Sequence, residues 1–212
     1  MSADDPRQIS RTGNLYFNPV TLERATLLVS GEDSGGELVR AELWAPPGAR
    51  VGAAHAHPEQ SERFEVLEGR LRVRSGDRTG TALPGDIVEV PPGTINDWWT
   101  EGDEPARVLL EVRPARRFVD AIITGWGLAA AGRTNARGMP GILQIALMAG
   151  EWDDTITFAS PPRWVQRSLA RALGPIARRR GLKGAYPELE QRILIGRVGE
   201  TLTLTGSTPL NT

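Results

Sequence analysis

The chain has 212 residues, with 25 Lys and Arg against 26 Asp and Glu, which gives a formal net charge of -1. Such a chain has no excess of positive charge that would attract nucleic acid or an anionic membrane, so we expect neither as a partner. It has no Cys, which excludes disulfides, thiolate metal sites and cysteine nucleophiles. No apolar run reaches the ~18 residues of a membrane span, and the acidic N-terminus does not resemble a secretory signal, so we predict a cytoplasmic protein.

Residues 12–113 have the pattern of a β-rich domain. Short apolar runs alternate with Gly/Pro turns such as GEDSGGE (31–37) and RSGDRTG (74–80). Turns at this spacing are typical of an all-β barrel or sandwich. Period-two alternation also predicts inward side chains, which are Leu71 and Val73 in one run and Val39, Ala41 and Leu43 in another.

After Pro114 the apolar period lengthens to about three and a half residues, which predicts helices. We place them at residues 116–131, 141–152 and 160–173. In the first, Phe118, Ile122 and Trp126 share one face. The second is apolar around most of its surface, so we expect it to be buried. Ser160, followed by two prolines, has the pattern of the N-cap of the third helix.

The change of period divides the chain into three predicted parts. They are a β-barrel at residues 1–113, a helical extension at 114–182 and a tail at 183–212. Alternation in TLTL (201–204) indicates a strand, so we interpret the tail as a surface strand, a loosely held segment or a lid over the barrel mouth.

The two histidines of the chain, His55 and His57, lie one residue apart. On a strand, residues i and i+2 point to the same face, so both imidazoles project into one space. Glu62 opens the next strand, and antiparallel pairing can return its carboxylate to the same place. Two imidazoles and a carboxylate bind a divalent transition metal, and with open positions this set suits non-haem Fe(II). The alternative is a hydrogen-bonded cluster without metal.

The sequence around these residues resembles the cupins. Their first motif, G-x5-H-x-H-x(3,4)-E-x6-G, is matched at His55, His57, Glu62 and Gly69, with the leading glycine one place early at Gly48. Their second motif, G-x5-P-x-G-x2-H-x3-N, is matched in part, at Gly85, Pro91 and Gly93. The resemblance covers residues 12–113. It implies a mainly β fold, a cupin or jelly-roll-type β-barrel followed here by an α-helical C-terminal extension, and a homodimer as the assembly.

The second motif differs from the family at the position of its ligand histidine. Asn96 stands there, and Thr100 replaces the terminal Asn. The resemblance therefore implies three metal ligands, His55, His57 and Glu62. Either a coordination position is left open for substrate or O₂, or metal affinity has fallen and Asn96 hydrogen-bonds an organic ligand.

Period two also predicts the wall of the pocket. If Asn96 faces inward, so does Trp98, and Glu62 shares its face with Phe64. We therefore predict that Asn96, Phe64 and Trp98 bind the substrate. A mostly apolar wall with few polar groups is typical of small-molecule sites, so we expect a small, largely apolar substrate.

Three functions remain open at this stage. The first is a metal-dependent enzyme of oxygenase or Lewis-acid type, in which His55, His57 and Glu62 are catalytic and hold iron, or alternatively manganese, nickel or zinc. The second is a metal-free cyclase or isomerase in which a histidine serves as general acid or base. The third is a non-catalytic ligand-binding cupin.

Overall fold

The computed structural model describes residues 11–50 and 53–198, which form twelve strands and four α-helices. The strands are β1 (Asn14–Phe17), β2 (Arg24–Val29), β3 (Val39–Ala45), β4 (His55–Ala56), β5 (Ser61–Glu68), β6 (Leu71–Ser75), β7 (Arg78–Ala82), β8 (Ile87–Val90), β9 (Asn96–Thr100), β10 (Ala106–Arg113), β11 (Thr157–Phe158) and β12 (Leu194–Arg197). The helices are α1 (Phe118–Ala130), α2 (Ile142–Glu151), α3 (Arg163–Arg179) and α4 (Glu190–Ile193), with a 3-10 turn at Pro187–Leu189.

The strands form two antiparallel sheets. The first has seven strands in the order β12-β1-β2-β3-β10-β5-β8, and the second has five in the order β11-β4-β9-β6-β7. A core cluster draws side chains from both sheets, among them Phe64, Val66, Leu71, Trp98 and Val108. The predicted fold class, mainly β with helices at the C-terminal end, is confirmed.

Alternation along the strands decides which side chains enter the core. Leu71 and Val73 are buried, as predicted, while Arg72 and Arg74, which alternate with them, are half-buried. At the end of β5 the motif glycine Gly69 has a positive φ of 75°. A Cβ at this position would collide with the carbonyl oxygen of Pro105, so the turn into β6 requires glycine.

The three predicted helices are present, with two corrections. Helix α3 begins at Arg163, with Pro162 in an extended conformation before it (ψ 148°), so the predicted N-cap at Ser160 is wrong. Helix α2 exposes Ile142 at its first turn and buries Gln144 and Leu147 instead, so its predicted burial holds for only part of its surface. No helix in the described ranges is long and apolar enough to cross a membrane.

The residues after Pro114 add one strand to each sheet. Strand β11 pairs with β4 at the edge of the smaller sheet, and β12 pairs with β1 at the edge of the larger one. The tail thus contributes a strand at Leu194–Arg197, while the alternation at 201–204 lies outside the described residues. The division at residues 113 and 182 stays a prediction.

Candidate metal centre and its cavity

Both sheets contribute to one buried cluster. His55 lies in β4, His57 follows directly after it, and Glu62 lies in β5. One ligand atom from each residue lies within 4.8 Å of the other two, and all three side chains are buried. Glu62 is not brought to the histidines by pairing of β4 with β5, as predicted, because β4 pairs with β9 and β11 whereas β5 pairs with β10 and β8. Glu62 therefore meets the histidines across the two sheets.

Backbone carbonyls fix the orientation of both imidazoles. Nδ1 of His55 lies 2.9 Å from the carbonyl oxygen of Ala53, and Nδ1 of His57 lies 2.7 Å from that of Thr155. A carbonyl oxygen can only accept, so each Nδ1 carries the proton and donates it. The neutral rings then hold their lone pairs on Nε2. For His57 this atom lies 3.8 Å from Oε2 of Glu62. A backbone carbonyl that accepts from the other ring nitrogen and so fixes the tautomer is a recurrent feature of metal-binding histidines.

Burial shifts the pKa of each of the three groups in the direction that favours its neutral form. It lowers the pKa of His55, against the opposing charge of Glu62, and it lowers the pKa of His57 against the Thr155 hydrogen bond. Burial raises the pKa of Glu62 to about 7, while the charge of His55 acts in the opposite direction. The imidazoles are therefore neutral at pH 7, the form that binds metals, and a cation would restore the charged form of Glu62.

Several polar atoms of the cluster have no hydrogen-bond partner in the part of the chain that the structure describes. They are Nε2 of His57, Oε2 of Glu62 and both polar atoms of the Asn96 amide. Because buried polar groups are nearly always hydrogen-bonded, unpaired atoms this close together indicate a ligand between them. Two imidazole nitrogens and a carboxylate oxygen fit a divalent transition metal.

The other predicted pocket residues occupy different places. Trp98 lines a cavity of about 270 Å³ that also reaches the three cluster residues. Phe64 is not among the lining residues; it packs in the core against Trp98, with ring centroids 6.5 Å apart. Asn96 is fully buried opposite His55 in β9 and is likewise not part of the cavity wall. The assignment of these three residues to substrate binding stays a prediction.

The helices close the cavity, which the sequence alone did not indicate. Phe118, Ile122 and Trp126 line it from α1, and Met148 lines it from α2. The Phe118 ring lies 5.6 Å from the His57 ring, centroid to centroid. In the sequence, Phe118, Ile122 and Trp126 share one apolar helix face. Such a face predicts that the helix packs against something apolar, but it does not distinguish a solid core from a cavity.

Two sheets with a His-His-Glu cluster between them define a cupin-type barrel with a candidate metal site. Residues 44–112, about a third of the chain, match the family model of the cupin domain. The match covers the barrel strands from the end of β3 to β10 and lies before the helices.

Several solved structures of other proteins are similar to part of the chain. The cupin domain of Schizosaccharomyces pombe Cnp3 is 17% identical over 43% of this chain and 64% of its own, with a TM-score of 0.40. A predicted oxalate decarboxylase from Thermotoga maritima is 20% identical over 43% and 80%, with a TM-score of 0.42. The TT1209 protein of Thermus thermophilus is 21% identical over 54% and 98%, with a TM-score of 0.41. No curated protein matches the chain. The homodimer and the cytoplasmic location stay predictions.

Proposed function

We propose that this protein is a metal-dependent cupin enzyme that acts on a small, largely apolar organic molecule. His55, His57 and Glu62 would hold a divalent transition metal. The observation that carries the proposal is the buried convergence of their ligand atoms within 4.8 Å, with Nε2 of His57 and Oε2 of Glu62 left without a partner among the described residues. Iron is our first choice because it suits two histidines and one carboxylate, and manganese, nickel or zinc accept the same ligands.

Residues around the cluster have separate tasks in this proposal. The carbonyls of Ala53 and Thr155 keep both Nε2 lone pairs directed away from the backbone. Phe118 covers His57 and keeps water away from it. Asn96, in place of a fourth imidazole, leaves a position that a substrate oxygen can take. The metal, when bound, would supply Lewis-acid polarisation or O₂ activation and would orient the substrate.

The lining of the cavity supports an apolar substrate. The wall between the sheets and helices is made of aliphatic, aromatic and methionine side chains, including Leu43, Leu110, Ile122, Trp126 and Met148. Burial of apolar ligand surface here contributes roughly 25 cal/mol per Å² before the cost of immobilising the ligand. Few polar groups interrupt the wall, so each one has a strong influence on selectivity.

A metal-free acid-base enzyme is the second candidate. The pKa of Glu62 near 7 favours it, because a carboxyl group with that value beside neutral imidazoles can either give or take a proton at physiological pH. In this version the cluster would catalyse an isomerisation or a cyclisation of a substrate held in the same cavity.

Elemental mass spectrometry of protein purified without added metal or chelator separates the two candidates. We expect about one transition metal per chain in the wild type and in Glu65→Ala, a control on the same strand. The metal should be lost in His55→Ala and in Glu62→Ala. Wild-type protein that stays empty after reconstitution with Fe(II), Mn(II), Ni(II) and Zn(II) would refute the metal proposal and leave the acid-base candidate.

A further inference from the structure

The cavity has a second polar end, far from the metal cluster. Asn18, Thr21 and Glu23, in the connection between β1 and β2, line it together with the cluster residues. None of these three residues lies in a cupin motif. The question is what a buried carboxyl group does at the end of an otherwise apolar cavity.

Strand register gives the separation of the two ends. Glu62 is in register with Val112, and Val112 with Val39 at the start of β3. Arg24, next to Glu23, is in register with Trp44 near the end of β3. The five residue steps from Val39 to Trp44 correspond to about 17 Å along the strand.

The wall between the two ends is apolar. On the sheet side it consists of Ala25, Leu27, Ala41, Leu43 and Leu110. On the helix side α1 runs along the cavity from Phe118 to Trp126, a distance of about 12 Å at 1.5 Å per residue. The cavity is therefore elongated, with polar residues at both ends.

Glu23 is held rigidly and is incompletely hydrogen-bonded. Its side chain is 3% exposed, and its Oε2 accepts a hydrogen bond of 2.5 Å from the Thr21 hydroxyl. Its backbone carbonyl accepts from the amide of Asn18, whose own side chain accepts from the amides of Val20 and Thr21. Oε1 of Glu23 is buried and has no partner among residues 11–50 and 53–198.

The unpaired Oε1 of Glu23 lowers the stability of the folded protein. An unpaired buried carboxyl oxygen costs free energy that an apolar side chain of the same length would not cost. Burial also raises the pKa of Glu23 to about 7, and the Thr21 hydrogen bond acts in the opposite direction. A hydroxyl group matches such a carboxyl in either protonation state, because it can both donate and accept a hydrogen bond.

We propose that Glu23 is a specificity residue whose Oε1 binds a hydroxyl group at the distal end of an elongated, mainly apolar substrate. The assignment of the reacting end to His55, His57 and Glu62 rests on the proposed function. The substrate class is thus a long-chain or multi-ring alcohol with its reacting group at the opposite end from the hydroxyl.

The test compares two probes of equal heavy-atom count, octan-1-ol and 1-methoxyheptane, by isothermal titration calorimetry. The ether has the same apolar character but no O–H group. We expect the wild type to bind the alcohol about tenfold more tightly, the effect of one buried hydrogen bond to a carboxyl group. Glu23→Met should bind both probes equally, and Glu23→Gln, which keeps hydrogen-bonding atoms, should retain part of the preference.

Controls separate this proposal from the metal proposal. Glu42→Met, on the neighbouring strand β3, should keep the full preference. Glu62→Ala should also keep it, because the metal end is disabled there and the Glu23 end is intact. Glu23→Met should contain the same metal as the wild type. Equal binding of both probes by the wild type, binding of neither, or a preference that survives in Glu23→Met would overturn the proposal, whatever the metal analysis shows.

Discussion

Replacing Glu23 by Gln should stabilise the protein at alkaline pH. In the unfolded chain a glutamate titrates at its ordinary value of 4.5, whereas burial raises the pKa of Glu23 in the folded protein to about 7. The folded state therefore binds the proton more tightly than the unfolded state. The stabilising contribution of that proton is complete below pH 4.5 and is lost as the pH rises toward 7.

The magnitude follows from the two pKa values. At about 1.36 kcal/mol for each pH unit between them, ionisation of Glu23 removes about 3 kcal/mol of folding free energy above pH 7. Gln has the same shape, keeps an oxygen that can accept from Thr21, and does not titrate. The advantage of Glu23→Gln over the wild type should therefore be small at pH 5 and grow to about 3 kcal/mol at pH 8.

Urea unfolding of chelator-treated protein, followed by far-UV circular dichroism at pH 5 and pH 8, measures this difference. Glu62 also has a raised pKa, but it is present in both proteins, so its titration cancels in the comparison. Parallel pH profiles for the two proteins would show that Glu23 ionises equally easily in the folded and unfolded states, and would refute the reasoning.

Three further outcomes are expected. Asn96→His should raise metal affinity in competition with a chelator, because it restores an imidazole opposite His55; an unchanged affinity would mean that position 96 does not contact the metal. Phe118→Ala should lower the free energy of unfolding by about 3 kcal/mol, since it empties a buried aromatic site, and a loss below about 1 kcal/mol in urea titration would contradict the packing described for Phe118. Metal affinity measured by the same chelator competition should fall as the pH drops from 7 to 5, because protons compete for Glu62 and both imidazoles; a pH-independent affinity would count against this ligand set.

The sequence was sufficient to predict the cluster of two histidines and one glutamate, because the residues that form it are close together in the chain. His55, His57 and Glu62 lie within eight residues, and their spacing is part of a recognisable motif. The convergence was predicted, but the pairing behind it was wrong. The alternation of side chains along a strand predicts that Glu62 faces inward. It does not predict that the inward faces of two different sheets meet at this point.

The pocket wall was harder to predict, because alternation of apolar residues along a strand identifies inward-facing side chains but does not distinguish a packed core from a cavity. Phe64 and Trp98 both face inward, yet Phe64 packs behind Trp98 and only Trp98 reaches the cavity. The contribution of α1 depends on how the helix docks on the sheet, which is a tertiary property. Glu23 has no local signal at all, since its burial depends on residues far away in the chain.

The helical extension contributes to the candidate metal centre through its backbone. Thr155 orients His57, and Phe158 pairs with His55 across β11 and β4. If the metal binds only when both rings are so oriented, docking of residues 155–158 and metal binding are thermodynamically linked. Docking and metal binding then favour each other by the same factor, so the metal content of the protein reports on whether the extension is docked. A partner that holds the extension in place would raise the metal affinity without contacting the metal.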